Sequence, residues 1–578
     1  YVIPPGFFFP DKWPLTVGGA SATSYENAAS QKYSDFRKTF LNRDPMLFVG
    51  ANDGMLHAIN AYRNTDTITD GGEEILAYVP SVLYNKLPNL ANQLYTHEYF
   101  VDGKTTYSDV FFKTGTKWHT ALVGGLNAGG QAVYALDITD PKGISSGYPS
   151  FDESNADDLV LWEFTDADDA DLGFTFGRPT IVRLANGDWG AVFGNGYNNT
   201  LADGISSTTG NSVIYIVNIE TGALIKKFDT LQGSTLATGK PNGMSEVAPV
   251  DVNGDFIADY LYAGDLYGNL WKIDISSVND ANWDFSFKQA GNPEPLFVAK
   301  SDADIRLPIT QRPIVRTHPK FRGYGDLLVT FGTGKYIETT DNEITGADTQ
   351  SFFGIWDNGD NDFDRDDLLE QFITEQSVNV DVVTTDADGN EETTTKLSNF
   401  RTVSNNEILW EDQKDAVGVV TDEKHGGWVL DLLNSAATPL ENKGERSVTN
   451  AVLRGNTLVF TTLIPSSDPC DSGGSSWLMV VDSADGSGPD SAFIDINEDD
   501  KFDTSDTIDT DGDGEGDSAV AGLQSKDGIL STSTFLDNTK DGNDSTISIN
   551  AVSDDSTLIT KMKLEGFLHK RLFWRELQ

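Results

Sequence analysis

Short apolar runs, each broken by a turn of small residues and closed by an acidic or amide side chain, recur along this chain. The first is MLFVGANDGMLHAINA at 46–61 and the next is TALVGGLNAGGQAVYALDIT at 120–139. The same order returns in WGAVFGNGYNN and SVIYIVNIETGALIKKF within 189–228 and in DYLYAGDLYGNLWKIDI at 259–275. It returns again in DLLVTFGTGKYI at 326–337, and in LVFTTLIPSS with SWLMVVDSADG within 458–486. β-Branched and aromatic residues in runs bounded by Gly, Asn and Asp read as antiparallel hairpins. A hairpin that repeats irregularly at a few tens of residues marks a β-propeller, whose blades cannot bury both faces alone and so stack around an axis. One or two β-sandwiches are the alternative, and the number of repeats favours the propeller. The expected class is all-β.

Departures from this grammar divide the chain. Residues 1–40 carry Pro4, Pro5, Pro10 and Pro14 and read as an extended lead-in, with a short polar, helical piece near 24–40. The propeller is expected over 41–578, with acidic loop insertions at 356–400 and 490–527. The first holds WDNGDNDFDRDDLLEQ and a polar hairpin, VDVVTTDADGNEETTTKL; the second is a dense acidic tract. Their charge density predicts loops on a rim rather than core segments. The last residues, KMKLEGFLHKRLFWRELQ, are basic and aromatic, and predict docking by Phe573 and Trp574 with Arg571 and Arg575 on acidic surface.

Composition narrows the function classes. With 38% hydrophobic and 11% aromatic residues over 578 positions, the chain can bury a core. Its 89 acidic against 41 basic side chains leave a formal net charge of −48. That sign opposes nucleic acid and anionic lipid as partners, and favours cations. Cys470 is the only cysteine, so no internal disulfide can form. No apolar stretch is long enough to read as a membrane span. The start at Tyr1, without a signal peptide, reads as a portion of a longer, exported protein.

The chemistry concentrates in one ligand spacing that occurs three times. In DVNGDFIAD, Asp251, Asn253, Asp255 and Asp259 hold loop positions 1, 3, 5 and 9, and the Ile257 carbonyl stands at position 7. This is the spacing with which a loop wraps Ca²⁺. Helix-bounded calcium loops want Gly at position 6 and Glu at position 12; here those positions are Phe256 and Tyr262, so the loop belongs to a β scaffold with Asp259 closing the shell. Asp495, Asn497, Asp499 and Asp503 repeat the spacing, with the Lys501 carbonyl at position 7 and Asp506 at position 12. Asp509, Asp511, Asp513 and Asp517 repeat it again, with Gly514 at position 6 and Glu515 at position 7. The bland reading of each is a solvated acidic turn. Asp360, Asp362, Asp364 and Asp366 also alternate, but they lead into LLEQ and read as an acidic helix start.

Other chemistry is thin. His57, His97, His119, His318, His425 and His569 show no transition-metal spacing, and His57 reads as a packed or hydrogen-bonded strand residue. There is no GxSxG elbow, and carboxylates are too common for a pair to signal glycoside hydrolysis. Trp118, Trp189, Trp271, Trp356, Trp428 and Trp477 lie in strand contexts and read as core.

Several blocks together resemble the PilY1 family of type IV pilus tip proteins, over its C-terminal domain. They are LFVGANDGMLHAINA (47–61), APVDVNGDFIADYLYAGDLYGNLWKIDI (248–275), VTFGTGKYIE (329–338), FFGIWDNG (352–359), FRTVSNN (400–406), FIDINEDDKFD (493–503) and FWREL (573–577). The resemblance implies a modified seven-bladed, quinoprotein-like β-propeller and Ca²⁺ at Asp251, Asn253, Asp255, the Ile257 carbonyl and Asp259. It implies a non-enzymatic role in pilus biogenesis, extension against retraction, twitching motility and adhesion at the cell surface or pilus tip. Minor pilins of the tip complex, a host or abiotic surface and the family's variable N-terminal region, absent here, are the implied partners. No RGD tripeptide occurs.

Two other classes compete. A dehydrogenase holding PQQ and Ca²⁺ would suit a quinoprotein-like propeller, and ETGALIKKF at 220–228 is similar to its docking motif. That motif occurs clearly once, and a single cysteine cannot supply the vicinal pair that covers the quinone in many such enzymes. A dockerin-like module at 495–517 would need a helix after each loop, for which TSDTIDT is too short.

Overall fold

The structure, a computed structural model, describes residues 1–563 except 8, 15, 18–19, 22–23, 63–70, 202–204, 322–324, 345, 386–390, 416–418, 439, 441, 467–472, 500, 511, 514, 526–527, 539–544 and 552–556. Cys470 and the C-terminal Phe573, Trp574, Arg571 and Arg575 lie outside the described residues, as do Asp511 and Gly514 of the third acidic loop. The described residues divide into two compact units, one of Tyr1–Asp265 with Trp271–Pro295, the other of Leu266–Leu270 with 296–563.

The first unit turns the hairpin grammar into successive meanders. Met46–Gly50, Leu56–Asn60 and Glu74–Tyr78 form a three-stranded sheet. Thr105–Phe112, Lys117–Gly125, Ala132–Asp137 and Val160–Thr165 form the next, followed by Thr180–Arg183, Trp189–Gly194, Asn211–Asn218 and Leu224–Gly233. Ala248–Val250, Tyr260–Gly264, Asn269–Asp274 and Asp284–Phe285 continue the series. Each strand neighbours the next in chain order, as in blades. Trp189–Gly194 is buried at every position, so both faces of its sheet are covered and its sequence reads as a continuous apolar run rather than an alternation. Gly196 shows why small residues follow the inner strands. It sits at φ 65°, and a Cβ there would lie 1.8 Å from the Phe174 carbonyl oxygen.

The N-terminal segment belongs to this unit. Ser24 caps the short helix Tyr25–Ala28, and Tyr33–Phe40 forms a second helix whose Tyr33, Phe36 and Phe40 are buried. Phe9 and Trp13 join the same core, against Trp118 and Trp189. The helical piece expected near 24–40 is present as these two helices, and the lead-in before it packs into the core through Phe9 and Trp13.

In the second unit ten strands run as one sheet. Its order is Ile314–Thr317, Leu327–Gly332, Ser351–Asp357, Gly427–Asn434, Leu369–Thr385, Glu391–Val403, Gly522–Ser525, Gly474–Asp482, Thr457–Pro465 and Val452–Arg454. Leu369–Thr385 runs parallel to Gly427–Asn434, with Leu369 opposite Trp428. The expectation of a rim loop over 356–400 is corrected here. The polar hairpin exists, but it extends inward as strands of 17 and 13 residues, with Ile373, Phe400 and Val403 buried. Charge averaged over the insertion conceals that its inner ends alternate. The Asp360–Asp366 run does not start a helix that runs on into LLEQ: it ends in a single 3₁₀ turn at Arg365–Asp367, capped by Asp364, and Leu369 already begins a strand.

Candidate functional site

Asp251–Asp259 is the connection between two antiparallel strands, Ala248–Val250 and Tyr260–Gly264, paired so that Val250 faces Tyr260. The sheet fixes the loop's ends: the Asp259 amide donates to the Val250 carbonyl at 2.8 Å, and the Asp259 carbonyl accepts from Ile275 at 2.9 Å. Within that frame the acidic side chains organise the backbone. Asp251 accepts from the Gly254 amide through Oδ1 at 2.7 Å and from Phe256 through Oδ2 at 2.8 Å. Asn253 Oδ1 accepts from Asp255 at 2.9 Å, and Asp255 Oδ1 from Ile257 at 2.9 Å. These are Asx turns laid end to end. Asp259 Oδ2 reaches back across the loop to the Val252 amide at 2.9 Å. Gly254 and Phe256 take the left-handed conformation the curl requires, at φ 77° and 69°.

The electrostatics are unfavourable as they stand. Asp251 and Asp259 are 8% and 5% exposed, and among the described residues neither forms an ion pair. Burial first, then the neighbouring loop carboxylates, push Asp251 up to about 6 and Asp259 up to about 7. Asp255 is raised too, by burial. The donor set consists of carboxylate, amide and carbonyl oxygens, the hard ligands Ca²⁺ takes. Among the described residues, no three His, Cys, Asp or Glu side chains stand in a preformed coordination cluster. The loop oxygens are instead turned onto its own amides.

The second loop uses the same device with one exchange. Asp495 and Asn497 both accept from the Asp499 amide at 3.1 Å, and Asp499 accepts from Lys501 at 2.9 Å. The carboxylate that reaches back to the position-2 amide is Asp506, accepting from Ile496 at 2.8 Å, and it is fully buried. Asp503 caps the turn Thr504–Asp506 through Ser505, and that contact lowers its pKa. The structure therefore gives Asp506 the place that the 1, 3, 5, 9 spacing assigns to Asp503. The signal was present in the sequence, since Asp503 and Asp506 have the spacing of a capping box. In the third loop, Asp509 accepts from Gly512 at 2.6 Å, Asp513 from Glu515 at 2.8 Å, and Asp517 from the position-2 amide of Thr510 at 3.0 Å. The short pair Thr507–Ile508 and Ser518–Ala519 closes its base.

His57 is hydrogen-bonded as its strand context suggests, with Nδ1 2.8 Å from Glu74 and Nε2 3.0 Å from Asp53. Sequence reasoning passed over two residues at the first loop. Phe256 departs from the glycine of helix-bounded loops, and nothing in the loop spacing points to its ring contacts. Arg183, whose carbonyl accepts from Ala258 at 3.0 Å, lies too far away in the chain for any spacing argument to find.

Comparison with known proteins places this geometry in a family. A family model described as the PilY1 beta-propeller domain matches residues 11–385. A protein of Xylella fastidiosa named type IV pilus biogenesis factor PilY1 homolog is 36% identical over 479 residues, covering 81% of this chain and 28% of its own length. Type IV pilus biogenesis factor PilY1 of Pseudomonas aeruginosa strain PAO1 is 33% identical over 490 residues, covering 81% of this chain and 37% of its own. The chain thus spans about a third of the length of these relatives. The crystal structure of the Pseudomonas aeruginosa PilY1 C-terminal domain superposes with a TM-score of 0.66 at 28% identity, covering 92% of this chain and 95% of that one. Meanders of short antiparallel strands, an acidic loop set between two of them, and these matches lead to one assignment: the chain belongs to the PilY1 β-propeller family.

Proposed function

We propose that this chain is the calcium-binding propeller portion of a type IV pilus biogenesis factor. In this reading it is a non-catalytic platform at the cell surface that sets pilus extension against retraction, and through it twitching motility and adhesion. Its partners are minor pilins of the pilus tip. The relatives' name as pilus biogenesis factors supports the setting. No helix among the described residues is long and apolar enough to cross a membrane.

The observation that carries the metal reading is the pair Asp251 and Asp259, both buried and with no ion-pair partner among the described residues. Two such carboxylates repel, and a divalent ion converts that repulsion into attraction. Asp251, Asn253, Asp255, the Ile257 carbonyl and Asp259 would hold the ion, and when bound it supplies fixed positive charge rather than chemistry. The chain's own residues hold the curl through Gly254 and Phe256 and anchor both ends in the sheet. Asp495, Asn497, Asp499, the Lys501 carbonyl and Asp506 form a second candidate shell, with Asp503 beside it. Asp509, Asp513, the Glu515 carbonyl and Asp517 form a third, which includes Asp511 from the spacing alone.

The test is a calcium titration of the purified chain followed by thermal melting, alongside Asp259→Ala. The parent should gain stability with calcium and the variant should lose the part due to this loop. In the producing bacterium the variant should change the number of surface pili. A variant that binds calcium and supports pili like the parent would refute the reading.

A further inference from the structure

We propose that Phe256 couples the calcium loop to the N-terminal segment, so that ion occupancy sets how firmly residues 9–13 are held to the propeller body. The inference rests on the calcium reading above and assigns that loop a specific output.

Position 6 of the loop lies in the left-handed region, at φ 69°, where a side chain is sterically disfavoured and glycine is the default. A phenylalanine there spends conformational freedom that glycine would keep, and its ring accounts for it. It meets Phe9 edge-on at 6.0 Å and Trp13 edge-on at 6.3 Å. Both are buried, at 7% and 3% exposure, although they lie in the irregular lead-in far from the loop in sequence. Edge-to-face pairs of this kind depend on ring direction, so a change in the loop's curl is felt at Phe9 and Trp13.

A second route joins the same two places through the backbone. Ala258, two residues after Phe256, donates to the Arg183 carbonyl at 3.0 Å. The Arg183 side chain is buried and meets Glu26 through Nε at 2.7 Å and Nη2 at 3.2 Å. Its guanidinium stands 5.4 Å over the Trp13 ring. Asn27, beside Glu26, clasps Trp13 from both sides, accepting from its amide at 2.9 Å and donating to its carbonyl at 3.0 Å. The N-terminal segment thus meets the loop through a ring contact and through an ion pair seated on the loop's own hydrogen-bond partner. A loop whose carboxylates are held by an ion fixes both contacts. A loop whose carboxylates repel loosens both.

The experiment is limited trypsin digestion of the full chain, with and without calcium, following cleavage after Lys12, which is exposed beside buried Trp13. Calcium binding is measured separately by calorimetry. Calcium should slow this cleavage by at least ~5-fold, the lower end of ordinary coupling between sites. At calcium saturation, checked by the calorimetry for each protein, Phe256→Gly should bring the ratio close to one. Equal protection by calcium in parent and variant would overturn the role of Phe256. A parent that binds calcium with no change in cleavage would overturn the coupling while leaving the calcium reading intact; a parent that binds no calcium would overturn that reading itself. Should the glycine variant fail to fold, amide exchange over residues 9–13 of the parent decides, and exchange unaffected by calcium sinks the proposal.

Discussion

At the residue scale, the first acidic loop is a balance between burial and charge. Asp251 and Asp259 have folded-state pKa values of about 6 and about 7, above the usual carboxylate value near ~3.9. A raised carboxylate pKa means the folded state binds more protons than the unfolded one. Its stabilising contribution is complete below about pH 4 and is lost as pH rises through about 6 to 7. Metal-free protein should therefore melt at a lower temperature at pH 8 than at pH 5, and calcium should restore most of the difference at pH 8. At ~1.4 kcal/mol per pKa unit, each group accounts for a few kcal/mol at most. Asp259→Asn keeps an oxygen for the Val252 amide and removes the charge. It should raise the melting temperature of metal-free protein at pH 8 and remove the part of the gain from calcium that this loop supplies. A variant less stable than the parent under those conditions would show that charge repulsion does not strain the loop.

At the element scale, the hairpin of Leu369–Thr385 and Glu391–Val403 ties the ten-stranded sheet together by an ionic cluster. Arg401 is fully buried and meets Glu445 at 2.6 Å through Nη1 and again through Nη2. Glu375 accepts from Arg401 at 2.6 Å and from Lys443 at 3.0 Å, and the guanidinium lies 4.0 Å from the Trp477 ring centroid. Removing one member strands the others. Glu445→Ala should cost about 3–5 kcal/mol, the range for breaking a buried pair, measured by denaturant unfolding. Arg401→Met with Glu375 and Glu445 both made Gln should cost much less, because no buried charge is left unpaired and Lys443, which loses Glu375, is exposed to water. The hairpin's polar outer half was legible because its turn residues and β-branched threonines are local signals. Its inner half was not, because the partners of Arg401 lie 26 and 44 residues away.

At the scale of the whole molecule, the net charge of −48 acts on everything above. Surface carboxylates repel one another, and salt screens them. Raising sodium chloride from about 0.02 M to about 0.5 M shortens the screening length from roughly 20 Å to about 4 Å. The melting temperature of metal-free protein should rise across that range, while calcium affinity should fall as the field that attracts the cation is screened. A melting temperature that stays flat would mean that the acidic side chains are spread too thinly, or neutralised too well locally, to strain the fold.

The sequence by itself determined the all-β class, the meander as the unit, the three runs of regularly spaced acidic side chains and the acidity. Each of these is set by neighbours a few positions apart or by composition, and a strand's period or a turn's glycine carries its own signal. The ligand spacing points to Asp503 and the capping-box spacing to Asp506, and tertiary structure decided between them by burying Asp506 against the Ile496 amide. It decided that Asp251 and Asp259 are buried with no ion-pair partner among the described residues. It also decided that Phe256 meets Phe9 and Trp13, because burial and ring contact depend on which distant segments the fold brings to one place.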